Sequence, residues 1–187
     1  EYLNRSTKEA NAQARLLFEK AVASDLQYAE AYAQLSRTYW LEWAARWSTD
    51  PQTLERAFAL AQQAVALDDS LPIAHSVLSI VYTWKQQYDE GRAEGERAIA
   101  LDPNNADSYA LQAEMLNYAG RPEEALRAVA QAMRLNPRYP SWYLVELGFA
   151  DRLTGRYTEA IATLKEVSSQ GPNFLPAYIN LARSYWE

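Results

Sequence analysis

LDPNNADSYALQAEMLNYAGRPEEALRAVAQAMRLNP, residues 101–137, reads as helix, tight turn, helix, stop. Asp102 or Asn105 can cap the first helix by accepting backbone N–H bonds that its start leaves unpaired. Tyr109, Ala113 and Leu116 recur at helical spacing and form one buried stripe. Gly120 stands where that helix ends, because glycine adopts the left-handed conformation at little cost. Pro122 then falls in the first turn of the next helix, where its missing N–H is not needed. Ala125, Leu126, Val129 and Ala132 make the second stripe, and Pro137 closes it. Small residues at Ala113, Ala125 and Ala132 let the two helix axes come close.

The same text recurs along the chain. LDP at 101–103, LNP at 135–137 and QGP at 170–172 place prolines 34 and then 35 residues apart. GRPEEAL at 120–126 is echoed by GRYTEAI at 155–161 and, more loosely, by QQYDEGR at 86–92. Leu35-Ser36-x-x-Tyr39, Leu78-Ser79-x-x-Tyr82, Leu147-Gly148 and Leu181-Ala182-x-x-Tyr185 repeat the first-helix stripe. A helix–turn–helix unit with a period of about 34 residues is the mark of the tetratricopeptide repeat, and over nearly its whole length the chain resembles that family. The resemblance implies an all-α, right-handed superhelical solenoid of antiparallel helix pairs, about ten helices in all.

The units divide the single solenoid of residues 1–187 into a half repeat of second-helix type at 6–24, an enlarged repeat at 28–69, and repeats at 70–103, 104–137 and 139–172. A half repeat of first-helix type at 174–187 follows. Ser6-x-x-Glu9 is a capping box for the opening helix, whose stripe is Ala14, Leu17, Phe18 and Ala21. The next helix carries Tyr32, Leu35, Ser36 and Tyr39 inward. Ala57, Ala61 and Ala64 match second-helix positions but arrive about nine residues late relative to the family period. We therefore expect the first helix of that unit to run on to Trp47 and to turn at Ser48–Pro51. Gly91 and Gly95 fall inside one second helix, each at a cost of about 1 kcal/mol relative to alanine. Either a neighbouring aromatic fills the space they leave, or the helix bends there.

Composition excludes several functions. The formal charge of −6 disfavours a general nucleic-acid role, which needs a basic surface. No apolar run approaches the roughly 18 residues of a membrane span, and the absence of cysteine excludes a disulfide framework and a cysteine metal site. His75, the one histidine, falls on a buried stripe and reads as a packed core residue. Paired acids at Asp68-Asp69, Asp89-Glu90 and Glu123-Glu124 sit at helix starts or turns, where they meet the helix dipole. No phosphate loop, zinc motif or nucleophile elbow is present, so we expect neither an enzyme, nor a metal, nor a cofactor. The chain begins at Glu1 without methionine and stops at Glu187 inside an expected helix, which suggests a piece of a larger protein.

What the family resemblance adds is a surface. In the family the first helices line the concave face, and the positions one turn from the buried stripe point into it. Carried over, these are Arg37, Trp40 and Leu41, then Ile73, Val77, Ile80 and Trp84, from the first two repeats. Asp107, Leu111, Glu114, Asn117 and Tyr118 follow in the third, with Trp142, Glu146, Phe149 and Arg152 in the fourth. Asn180 and Arg183 complete the set. Such an aromatic groove with charges of both signs implies a scaffold that binds a protein or peptide segment. The competing reading is that half of these aromatics merely pack between adjacent first helices. A variant of the family clamps carboxylate tails with basic residues; here Ala33 and Ser76 stand where cations or their partners belong, so that ligand class is not expected.

Trp40, Trp43 and Trp47 recur at spacings of three and four, as one stripe on the lengthened helix. They either cover the following helix through Leu54, Phe58 and Ala61 or form a docking edge at Trp43 and Trp47. The first half of the chain further resembles the repeat region of bacterial signalling proteins that carry a nucleotide cyclase or winged-helix output domain. That resemblance implies a cytoplasmic regulatory segment. Its alternative function is a self-associating or intramolecular regulatory element, homo-oligomeric through exposed ends.

Overall fold

The computed structural model describes residues 7–170 and 175–186. These form ten α-helices and no strand: α1 Lys8–Ser24, α2 Ala29–Ala44, α3 Gln52–Leu67, α4 Pro72–Trp84, α5 Tyr88–Leu101, α6 Ala106–Tyr118, α7 Pro122–Leu135, α8 Ser141–Leu153, α9 Tyr157–Gln170 and α10 Leu175–Trp186. The chain falls into two compact units, Glu1–Pro103 and Asn104–Glu187, divided between two of the expected repeats. Within each unit consecutive helices pack as hairpins and alternate first helices also touch: α2 on α4, α6 on α8 and α8 on α10. That arrangement is the helix-pair stacking the sequence period predicts.

One turn recurs in all four complete pairs. The first helix ends two residues before a residue of positive φ: Arg46 (58°), Gln86 (62°), Gly120 (72°) and Gly155 (77°). The next N–H then reaches back across the helix end. Trp47 N donates to Glu42 O at 3.0 Å, Gln87 N to Tyr82 O at 2.9 Å, Arg121 N to Leu116 O and Arg156 N to Asp151 O, both at 2.8 Å. This closes the orphan carbonyls at the helix end. Asn105, rather than Asp102, caps α6, its side chain accepting from Ser108 N at 3.1 Å.

The enlarged repeat differs from expectation. Helix α2 ends at Ala44 rather than Trp47, because Arg46 adopts the left-handed turn conformation. The extra residues are therefore shared between a helix of 16 residues, against 13 in α4, α6 and α8, and the segment Trp47–Pro51 after the turn. At the opening helix, Thr7 is the N-cap and accepts from Ala10 N at 3.2 Å; Ser6 of the expected capping box lies outside the described residues. Leu17, expected inward, is exposed, and the contact with α2 runs instead through Ala10, Asn11 and Ala14. A helix packed on one neighbour needs only this narrow stripe, and Asn11 Nδ2 secures it by donating to Thr38 O at 2.9 Å.

Paired helices cross at a small residue. A Cβ at Gly148 of α8 would lie 2.6 Å from Leu164 Cγ of α9. A Cβ at Gly91 of α5 would lie 2.9 Å from Ser79 O and 3.1 Å from Thr83 Oγ1, both on α4. Close backbone approach therefore accounts for Gly91. His75 is buried as expected but not among apolar groups alone. Its Nδ1 faces Glu94 Oε2 at 2.6 Å and its Nε2 faces Asp69 O at 2.8 Å, which ties α4 to α5 and to the turn before it. In that turn Asp68 accepts from Ser70 N and Oγ, and these bonds hold its carboxyl below the usual range.

Candidate functional site

The residues expected to line a binding surface fall on α2 and α4 of the first unit and on α6, α8 and α10 of the second. In the first unit the face is mostly closed. Val77 and Ile80 keep none of their surface (0%), so they are core rather than contact residues. They face the packed side of α4, a helix buried along nearly its whole length from Ala74 to Val81. Trp40 is buried as well. Arg37, Leu41, Ile73 and Trp84 are half-buried. Trp43 and Trp47 are also half-buried, but Trp47 lies beyond the Arg46 turn. The three tryptophans therefore do not form one stripe on one helix.

Around α2 the polar contacts are structural. Arg15 forms an ion pair with Glu42 at 2.7 Å and lies 4.2 Å from the ring centre of Tyr39. Behind it, Phe58 and Tyr82 meet edge to face at 5.2 Å, with the Lys85 ammonium 4.9 Å from the Phe58 ring.

The second unit brings its predicted residues together. Asn117 of α6 donates through Nδ2 to Glu146 O at 3.0 Å and to Glu146 Oε2 at 3.2 Å, across to α8. Tyr118 meets Phe149 edge to face at 5.3 Å, and the Arg152 guanidinium lies 5.1 Å from the Phe149 ring centre. Tyr118 is 40% exposed, while Glu114, Asn117, Glu146, Phe149 and Arg152 are buried. Leu111 and Asn180 are buried too, and Arg183 is exposed. Trp142 is half-buried and spends its ring on the core, edge-on to Tyr143 at 4.5 Å. Asp107 accepts the Tyr143 hydroxyl proton in a hydrogen bond.

Electrostatics single out Glu146. Burial pushes its carboxyl well above the ordinary carboxylate range, and the neighbouring Glu114 pushes it further; the Asn117 amide only partly offsets them. The Asn117 Oδ1 atom is buried and has no hydrogen-bond partner among the described residues. Sequence reasoning placed both glutamates on the surface without seeing that they meet. The signal was present in the period: relative to Gly120 and Gly155, Glu146 stands one helical turn before the equivalent of Glu114, so the two are diagonal neighbours on adjacent first helices.

Among the described residues no three His, Cys, Asp or Glu side chains gather as metal ligands, and no helix is long and apolar enough to cross a membrane. Tetratricopeptide repeat family models match residues 116–185 and 95–127. Human tetratricopeptide repeat protein 28 is 33% identical over 82 residues, 44% of this chain, and the chain spans 3% of that protein's length. The crystal structure of YrrB, described as a TPR protein with an unusual peptide-binding site, is 25% identical with a TM-score of 0.52, covering 90% of this chain and 81% of YrrB. A thermophilic TPR protein of Thermus thermophilus shares the fold at 19% identity, with a TM-score of 0.71 over 96% of this chain and 92% of its own. Tetratricopeptide repeat models thus match within residues 95–185, just under half of the chain, and the solved structures share its fold over nearly the whole length; tetratricopeptide repeat folds are typically non-catalytic and generally mediate protein–protein interactions.

Proposed function

We propose that this chain is a protein-interaction scaffold that holds a peptide or partner segment against the first helices of its repeats, with the second unit as the principal contact. The observation that carries this reading is the stack formed across α6 and α8. Tyr118, Phe149 and Arg152 from consecutive first helices meet at 5.3 and 5.1 Å, with Tyr118 still 40% exposed. Aromatic and arginine side chains held rigid before binding lose little entropy on contact and supply most of the energy at such surfaces. The peptide-binding site of YrrB, on the same fold, agrees with this class of ligand.

The test is capture of a partner from lysate by the immobilised chain, compared with a Tyr118→Ala, Arg183→Glu variant. Both residues are exposed, so the variant keeps its core. A protein retained by the parent and lost from the variant supports the reading; equal retention removes it.

A second reading draws on α10, where Tyr178, Ile179 and Tyr185 are exposed and Trp186 keeps 92% of its surface. In that reading the chain self-associates through α10 as the regulatory element of a bacterial cyclase or transcription regulator, in the cytoplasm. A Trp186→Glu variant that lowers the mass in solution at high protein concentration favours it. An unchanged monomeric mass removes it.

A further inference from the structure

Helices α1 and α10 are each covered on one side only. Among the described residues α1 packs on α2, and α10 packs on α8 and α9. The face left open on each is the one that the other helices bury within a pair. On α10, Tyr178, Ala182 and Tyr185 stand at one constant offset in the places that Tyr109, Ala113 and Leu116 hold on α6. On α6 that stripe is closed by Ala125, Val129 and Ala132 of α7, whereas on α10 all three places are exposed. On α1, Ala14, Phe18 and Ala21 stand in the places of Ala57, Ala61 and Ala64 of α3, since Ala21 precedes Ser36 by the interval that parts Ala64 from Ser79. The α3 stripe is wholly buried and faces α2, through the bond from Ser36 to Ala57 O and the packing of Ala64 with Ala33. On α1, Phe18 and Ala21 are only half-buried, and Leu16 and Leu17 keep 50 and 53% of their surface.

We propose that α1 of a second copy of this chain covers α10, so that copies join head to tail and the contact rebuilds one helix pair. The inference rests on the self-association reading above and names the surface that α10 meets. Register selects α1 as the occupant. Ala182 has the place of Gly148 on α8, and Phe18 has the place of Leu164 on α9, which lies against that glycine. Phe18 of one copy therefore falls over Ala182 of the next, a large side chain over a small one, as in pair α8/α9. Two α10 helices face to face would instead set large side chains against large ones, with Tyr178 and Tyr185 on both.

Area sets the strength of the contact. Trp186 has the place of Thr83, which borders Gly91 of the paired helix α5, so it belongs to the same face. Tyr178, Tyr185 and Trp186 keep 40, 59 and 92% of their surface, roughly 300–500 Å² in all at about 150–250 Å² per aromatic side chain. With a comparable area from α1, the contact removes up to about 1,000 Å² from water, at the lower edge of specific interfaces. Such a contact forms at high protein concentration and reverses on dilution. Because its two surfaces differ, copies go on adding until the assembly closes into a ring or stays open.

The experiment is sedimentation equilibrium of the whole chain over a range of concentrations, with each face blocked in turn. Phe18→Asp blocks the α1 face and Tyr185→Asp the α10 face. Should either fail to fold, Leu17→Asp and Ala182→Arg, at exposed positions, take their places. The parent chain is expected to gain mass with concentration, and each variant alone to stay at the mass of one copy. An equimolar mixture of the two variants is expected to reach twice that mass, because one supplies an intact α10 and the other an intact α1.

A mixture that stays at the mass of one copy overturns the head-to-tail contact. Association of Phe18→Asp alone, with Tyr185→Asp monomeric, also overturns it; α10 then pairs with its own kind, and self-association stands without this contact. Association of Tyr185→Asp alone puts the contact outside α10 and removes both readings. A parent chain that stays monomeric at every concentration removes both as well.

Discussion

Helix pair α4/α5 in the first unit and pair α8/α9 in the second solve one packing problem with the parts exchanged. Measured from the positive-φ residue of each turn, Ser79 and Gly148 occupy the same place on the first helix, and Gly91 and Ala160 the same place on the second. In α4/α5 the glycine is on the second helix, and the Ser79 hydroxyl donates to Gly91 O. In α8/α9 the glycine is on the first, with Leu164 filling the space above it. Pair α6/α7 uses Ala113 and Ala125, both without accessible surface. What the repeat requires is a close crossing; which helix supplies the small residue, and whether a hydroxyl joins it, is left free. The units differ similarly on the first-helix face. Val77 and Ile80, wholly buried in α4, hold the places that Glu146 and Glu114 hold in α8 and α6. At these two places α4 is dry, and α6 and α8 are acidic.

The largest expected effect tests the crossing itself. Gly148→Ala puts a methyl 2.6 Å from Leu164 Cγ, an atom near the root of a wholly buried side chain that has little room to retreat. Overpacking costs about 1–3 kcal/mol, more than the gain of about 1 kcal/mol from replacing a helical glycine. Urea denaturation is expected to show net destabilisation. Gly91→Ala is expected to follow, because its methyl meets a backbone oxygen at 2.9 Å. A neutral Gly148→Ala would mean that Leu164 repacks and that the exchange of parts is incidental.

The pairing of helices and their crossings were legible in the sequence because each depends on local chemistry at a fixed period. Gly120 and Pro122 mark a turn wherever they stand, and Ala113 with Ala125 marks a close crossing. The end of α2 was not legible. Arg46 takes a left-handed conformation that its side chain does not announce, so helix-favouring text up to Trp47 was read as helix. Val77 and Ile80 were misjudged for another reason. The family register fixes which face of α4 they share but not how deeply neighbouring helices cover it. The proximity of Glu114 and Glu146 was carried by the period, but reading it needed the diagonal offset between two first helices as well as the register.

The second comparison, dry face against acidic face, is tested by pH. The carboxyl of Glu146 is raised in the folded chain, so folding takes up a proton as pH passes above the ordinary value of 4.5. The unfolded state then binds fewer protons than the folded one, and stability falls as pH rises. The contribution is complete below 4.5 and is lost as pH climbs through the raised folded value. Glu146→Gln is expected to flatten that decline in denaturation midpoints measured across the range. An unchanged slope would assign the decline elsewhere.

A smaller effect separates the hydroxyl crossing from the bare one. Ser79→Ala removes the bond to Gly91 O while leaving the crossing residue small, and is expected to cost about 0.5–1.5 kcal/mol. Ser36→Ala should behave alike, since Ser36 Oγ donates to Ala57 O at 2.6 Å. No loss in either would mean that the hydroxyls only occupy space.

The smallest effect concerns the turns. The second unit places Gly120 and Gly155 at positive φ, where nothing lies within 4 Å of a would-be Cβ, while the first places Arg46 and Gln86 there. With open space, Gly120→Ala is penalised by backbone conformation alone, about 1 kcal/mol. Gln86→Gly removes the corresponding strain but frees the unfolded chain, so the two terms nearly cancel and the net gain is at most about 1 kcal/mol. Thermal denaturation of both variants decides whether the turns are equivalent. Opposite signs mean that the same conformational strain operates in both units and that the first simply tolerates it. A loss on Gln86→Gly would show instead that the glutamine side chain contributes contacts that outweigh its strain, and the four turns, alike in backbone, would then differ in what holds them.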